Sequence, residues 1–194
     1  MPAFPTGGDT PWEKWKAFAI RRRTCITLAA AIPVLAVAEP TLPWYLGGLA
    51  VVALGVCVRL IASGYITKST ELATNGPFAV TRHPLYLGGA LVAAGFCAMT
   101  GAWYSFLSVV VPIGLLYAAV YGPTIVFEER FMVERFGEDY RAYCRRVPRF
   151  LPRLRVAPYS WRGFSWDRVR RNHELTNIAG VAAFAVAFAL MFLR

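Results

Sequence analysis

Apolar residues in this chain gather into five long runs, at about residues 24 to 42, 44 to 66, 84 to 101, 103 to 126 and 176 to 193, separated by polar stretches of unequal length. Each run approaches the roughly 20 mostly apolar residues that a helix needs to cross a bilayer. The pattern therefore predicts an all-α, polytopic membrane protein of about five transmembrane helices. Upstream of the first run, Trp12, Trp15, Phe18 and Ala19 recur at helical spacing among Lys14, Lys16, Arg21, Arg22 and Arg23, which predicts an interfacial helix feeding the first span. The same stretch lacks the short apolar run with a small-residue end that marks a cleavable signal peptide. A second interfacial stretch is expected at 156 to 175, around Trp161, Phe164 and Trp166. Spans three and four are joined by a few residues near Thr100 to Trp103 and so form an antiparallel hairpin. At about 1.5 Å per residue their lengths bring Glu128 and Glu129, at the end of span four, back towards Arg82, His83 and Tyr86 at the start of span three.

Composition fixes the orientation. The chain is 57% apolar with a formal charge of +10 over 194 residues, too apolar for a soluble domain of this size. Such a charge could serve nucleic acid, but 20 of the 21 Lys and Arg fall in residues 1 to 23, 59 to 84 or 127 to 175. The five-span topology puts all three on one side. The opposite loops, around Glu39-Pro40-Thr41 and Met99-Thr100-Gly101, carry none. Positive charge marks the cytoplasmic side, so the N-terminus and the motif-bearing segments are placed in the cytoplasm. Ala- and Arg-rich, Lys-poor composition points to a bacterial inner membrane. Anionic membrane lipids, not nucleic acid, are the expected partners of the arginines. Cys25, Cys57, Cys97 and Cys144 have no metal-like spacing, so neither a disulfide framework nor a metal is expected. The chain reads as one domain over 1–194, with a motif-bearing core at 55–152 and a C-terminal extension with its own span at 153–194.

Candidate chemistry concentrates in Asn75 to Gly88, a polar, basic stretch set against an apolar span. Gly76-Pro77 reads as a turn, and His83-Pro84 as a helix start, because proline at the first helical position gives up an N–H that lacks a partner anyway. That helix end presents N–H groups and a positive dipole to an anionic ligand group. The competing reading makes Arg82 and His83 interfacial anchors. In span two, Gly47, Gly48, Gly55 and Ala62 suit close helix packing in lipid. Arg59 lies within the same span; it is either a functional cation or a snorkelling one, and a partner for it is expected in Glu128 or Glu129. From Glu128 to Arg155, Phe131, Phe136, Tyr140 and Tyr143 keep an apolar stripe through dense charge. This predicts a cytoplasmic helix broken at Gly137 and stopped at Pro148.

Gly76-Pro77-Phe78, Arg82-His83-Pro84-Leu85-Tyr86-Leu87-Gly88, Glu128-Glu129, Phe136-Gly137-Glu138-Asp139-Tyr140-Arg141-Ala142-Tyr143 and Val147-Pro148-Arg149-Phe150-Leu151-Pro152 occur in an order and spacing that resembles the isoprenylcysteine carboxyl methyltransferase family. The likeness runs from about Gly55 to Pro152. It implies an integral-membrane enzyme using S-adenosylmethionine, with a lipid-like or hydrophobic acceptor arriving from the bilayer. The resemblance implies cofactor contacts at Thr70, Glu71, Leu72, Ala73, Phe78, Arg82, His83, Pro84, Leu85, Tyr86 and Glu128, while Arg59 and Glu129 are the catalytic candidates on the acceptor side. Thr70 and Thr124 stand where eukaryotic members carry histidine and a substrate-binding arginine, and Phe78 where tyrosine is usual. These departures point away from prenylcysteine and leave a carboxyl or an amine as the acceptor. Two other readings fit parts of the pattern: an NADPH-dependent sterol-reductase-like enzyme, which shares Arg-His-Pro-x-Tyr, and a non-catalytic membrane scaffold.

Overall fold

In the computed structural model, residues 11–36, 38–67, 71–101, 103–153 and 163–191 are described. They form six α-helices and one 3-10 turn, with no strand among them: α1 (Pro11–Ala36), α2 (Leu42–Ser63), the turn Gly76–Ala79, α3 (Pro84–Ala98), α4 (Trp103–Arg146), α5 (Trp166–Arg171) and α6 (Glu174–Leu190). Leu42–Ser63 and Leu107–Arg146 are long and apolar enough to cross a membrane. At 15 and 17 residues, α3 and α6 span roughly 22 and 26 Å, short of a hydrocarbon core of about 30 Å. The expectation of about five transmembrane helices is thus met only in part.

Proline and glycine set the boundaries. His83 is the N-cap of α3, with Pro84 in its first turn, and Pro43 similarly opens α2. The 44-residue α4 joins the fourth apolar run to the charged segment. Gly137, at φ 54° and ψ −123°, breaks it, and it stops before Val147-Pro148. The expected interfacial helix is not set apart from the first apolar run. Residues 11 to 36 run as one helix, because no proline or glycine interrupts the chain between Pro11 and Pro33. Trp15 Nε1 donates to the Ala119 carbonyl of α4 at 3.3 Å, which holds this end of α1 against protein.

Antiparallel α2 and α3 pack backbone to backbone at two glycine pairs. A Cβ on Gly88 lies 2.7 Å from the Gly55 carbonyl, and one on Gly95 lies 2.7 Å from the Gly48 carbonyl. Both pairs recur at a seven-residue interval, two helical turns, so small residues clear the whole seam. Around it Val52, Phe96, Met99, Val109, Ala185 and Phe188 form a buried core, in which Phe96 meets Phe184 edge-on at 4.7 Å. The last helix is therefore built into the core. At the end of the bundle away from the charged segment, the Glu39 N–H donates to the Thr100 carbonyl at 2.9 Å, tying together the two loops without basic residues. Of the second expected interfacial stretch, residues 156 to 162 including Trp161 lie outside the described residues. The remainder caps α2: the Ser165 N–H donates to the Gly64 carbonyl at 3.0 Å, and Asn172 Nδ2 donates to the Ser63 and Ile66 carbonyls at 2.9 and 3.3 Å, satisfying carbonyls that a helix end leaves open.

Gly88→Val drives a branched side chain into the Gly55 carbonyl and the Arg59 stem, whereas an added Cβ at Gly114 meets nothing within 4 Å. Overpacking of this kind costs about 1–3 kcal/mol or more. Thermal melts in detergent are expected to show a large loss for Gly88→Val and little change for Gly114→Ala; equal melts contradict the glycine seam.

Candidate functional site

The hairpin of α3 and α4 closes as its lengths require, and the two adjacent carboxylates meet different groups. Successive helical residues point about 100° apart. Glu128 faces α3, where the Tyr86 hydroxyl donates to its Oε1 at 2.6 Å. Glu129 faces the segments on either side. Its Oε1 accepts from Arg82 Nη1 at 3.0 Å and from Arg149 Nε at 3.1 Å, with His83 Nε2 also at 3.1 Å, while Oε2 accepts from Arg149 Nη2 at 2.5 Å.

Around that carboxylate two loops lie side by side. The Arg82 N–H donates to the Pro148 carbonyl at 2.9 Å, and the Arg153 N–H donates to the Val80 carbonyl at 3.0 Å. Buried Thr81 donates through Oγ1 towards the Arg149 and Phe150 carbonyls at 3.1 and 3.0 Å. Arg82 Nε reaches the Val147 carbonyl at 2.9 Å. Tyr143 donates to the Phe78 carbonyl at 2.7 Å, and burial pushes its phenol pKa up, so it stays a donor. The separate sequence motifs thus become one contiguous structure. Burial by itself pushes the Glu129 carboxyl up, but hydrogen bonds and charge from His83 and Arg149 outweigh it and hold the pKa at about 2. A cleft of about 350 Å³ opens next to it, lined in part by Val126, Arg130, Val133 and Cys144.

These contacts of Glu129 form a latch between the two loops, and an aromatic row runs on from it. Phe150 lies 6.1 Å from His83, His83 lies 5.8 Å from Tyr86, Tyr86 lies 5.5 Å from Tyr121, and Tyr121 lies 4.3 Å from Tyr117, centroid to centroid. Tyr117 donates to the Tyr86 carbonyl at 2.7 Å. A carboxylate beside π-faces, as Glu128 is beside Tyr86, is an environment that favours a cationic group.

Of the expected cofactor contacts, Phe78, Arg82, His83, Pro84, Leu85, Tyr86 and Glu128 come together here. Thr70 lies outside the described residues. Leu72 packs on the Tyr140–Tyr143–Val147 cluster, Ala73 is half-buried beside it in sequence, and Glu71 is exposed. Contrary to the expectation from sequence, Arg59 does not pair with Glu128 or Glu129. Its Nε and Nη2 donate to the two carboxylate oxygens of Glu174 at 2.8 and 3.0 Å, because the α5–α6 turn lays the start of α6 against α2. Glu174, Tyr117, Tyr121 and Arg149 are the contributors that the sequence reading missed. Tyr117, Tyr121 and Glu128, spaced by four and seven, share one helical face, a periodicity that pointed to two of them. Among the described residues no group of three His, Cys, Asp or Glu is arranged to hold a metal ion.

The fold is that of a helical, membrane-type protein whose motif residues gather at one end of its bundle. The chain matches the phospholipid methyltransferase family over residues 43–139, half of its length, and it belongs to that family. It is 36% identical over 134 residues to the cobalt-zinc-cadmium resistance protein CzcN of Cupriavidus metallidurans, covering 68% of this chain and 58% of that protein. To the protein-S-isoprenylcysteine O-methyltransferase of Schizosaccharomyces pombe it is 31% identical over 108 residues, covering 56% and 44%. To methanethiol S-methyltransferase 2 of Bradyrhizobium diazoefficiens it is 28% identical over 172 residues, covering 74% and 64%. The chain thus spans about half to two thirds of the curated relatives it matches. No solved structure matches it.

The depressed Glu129 pKa carries a sign. Its folded value of about 2 lies below the ordinary 4.5, so the contribution is present above pH 4.5 and is lost as pH falls towards 2. With Arg149 half exposed, screening leaves roughly 1–2 kcal/mol. Acid titration in detergent is expected to show the wild type losing stability across that window and Glu129→Gln, less stable at neutral pH, changing less. Parallel profiles contradict the latch.

Proposed function

We propose that this chain is an S-adenosylmethionine-dependent methyltransferase acting on a lipid-like or hydrophobic acceptor at the cytoplasmic side of a membrane. The observation that carries this is the convergence of Tyr86, Tyr117, Tyr121 and Glu128, from two helices, next to the N-terminus of α3. Family membership supports the same reading. The donor set fits the cofactor: Glu128 suits its ammonium, the first-turn N–H groups of α3 suit its carboxylate, and Phe78 and Tyr86 suit its adenine. When bound, S-adenosylmethionine supplies an electrophilic methyl on a sulfonium. The chain's own part is to hold that group against the acceptor and exclude water, which is where methyl transfer gains most. Glu129 belongs to the scaffold of this site, since both of its oxygens are engaged by the two loops.

Two positions bear on the acceptor class. Thr124, where the resemblance expects an arginine, is buried and donates to the Val120 carbonyl at 3.0 Å. Arg59 is neutralised by Glu174. Neither is arranged as a clamp for an anionic head, which favours a neutral or thiol-bearing acceptor over a carboxylate. The methanethiol S-methyltransferase relative carries a thiol acceptor in its name.

Calorimetric titration of the solubilised protein tests the reading. S-adenosylmethionine is expected to bind, and Glu128→Gln to weaken it about ten- to hundredfold, the worth of a charge-assisted hydrogen bond at a partly desolvated site. Binding of NADPH instead contradicts the reading in favour of a reductase, and binding of neither leaves a scaffold. In intact cells a single cysteine at position 41 should label and one at 145 should not; the reverse overturns the orientation.

A further inference from the structure

The last helix contributes to the site without touching it. Arg59 uses its guanidinium as a fork. Nε and Nη2 engage the two oxygens of Glu174 at 2.8 and 3.0 Å, and Nη1 reaches the Leu85 carbonyl at 3.3 Å. Leu85 sits in the first turn of α3, immediately before Tyr86. Because the guanidinium is planar and its donors are fixed relative to one another, a carboxylate that grips one edge dictates where the remaining N–H groups point. From the other side Tyr117 holds the Tyr86 carbonyl. The turn that presents Tyr86 to Glu128 is thus braced by α2 and by α4.

Glu174 is placed for this task by several independent features. It is 3% exposed and is the first residue of α6. Asn172 registers the preceding turn on the end of α2, and His173 adopts a left-handed conformation, φ 56° and ψ 24°, which sends the chain directly from that anchor into α6. Asn177 Nδ2 supports Glu174 Oε2 at 3.3 Å. On the opposite side, Gly88 leaves room for the Arg59 stem: an added Cβ there lies 2.6 Å from Arg59 Cγ. Without Glu174, a long cationic side chain about one turn from the end of α2 swings towards the headgroups, and the brace on Leu85 goes with it.

We propose that Glu174 is a positioning residue for the cofactor site, acting through Arg59 on the first turn of α3, so that a helix beyond the family-matched region sets cofactor affinity. The proposal rests on the methyltransferase reading. Its test is calorimetric titration of S-adenosylmethionine into wild type, Glu174→Gln, Glu174→Asp and Arg59→Lys, each paired with a thermal melt. Phe188→Ala is the control, since it loosens the packing of α6 in the core without touching Arg59. Glu174→Gln is expected to bind about tenfold more weakly, and Glu174→Asp to recover most of that loss. Phe188→Ala should melt lower yet keep its affinity within about twofold. Arg59→Lys keeps the ion pair but lacks the planar fork, and is expected to lose about as much affinity as Glu174→Gln; it decides the matter if Glu174→Gln does not fold. Wild-type affinity in Glu174→Gln or Arg59→Lys overturns the proposal, as does a loss in Phe188→Ala equal to that in Glu174→Gln. Absence of binding by the wild type itself overturns the methyltransferase reading instead.

Discussion

Glu129 brings one negative charge to a place where the Arg82-His83 segment and the Arg149 segment would otherwise repel each other and part. The hydrogen bonds and ion pairs of its two oxygens hold together stretches nearly 70 residues apart in sequence, and the main-chain pairing of Arg82 with Pro148 and of Val80 with Arg153 follows from that. An exposed ion pair contributes little. A carboxylate whose side chain is 13% exposed and shared among three donors is different, because losing it leaves mutually repelling cations in a partly desolvated place.

The neighbouring Glu128 shows why two carboxylates are needed. One residue along a helix is a change of direction of about 100°, so a single glutamate cannot both fasten the loops and face the row of tyrosines. The doublet divides these roles between the two faces of α4. The membrane half supplies the rigidity: glycine pairs set α3 against α2, and the start of α3 cannot shift without disturbing that seam. Arg59 and Tyr117 then fix the same turn from either side.

Local signals in the sequence were legible where a single residue type has one structural use. Pro84 starts α3, Gly137 breaks α4, and the short loop after α3 forces the hairpin that brings Tyr86 to Glu128. The roles within the Glu-Glu pair were harder to read, since adjacent glutamates differ only in the direction their helix gives them. Arg59's partner was misassigned for a related reason. Glu174 lies 115 residues away, just ahead of what reads as a separate final span, and the turn at Asn172-His173 that lays it against α2 leaves no mark in hydropathy. The contact of α1 with α4 was not legible, because its charged, Trp-rich first half has the composition of a headgroup-lying helix, although its Trp15 donates to the Ala119 carbonyl. The short length of α3 was hidden by Met99, an apolar residue past the helix end.

The central claim is that the Glu129 latch, by joining the two loops, makes the cofactor site. A double-mutant cycle read in S-adenosylmethionine affinity, with Glu129→Gln, Arg149→Ala and both together, tests it most directly. If the latch acts as a unit, each single change weakens binding and the double mutant binds no worse than the weaker single one, a coupling of about 1–2 kcal/mol. Additive losses, or affinities that ignore both substitutions, contradict it.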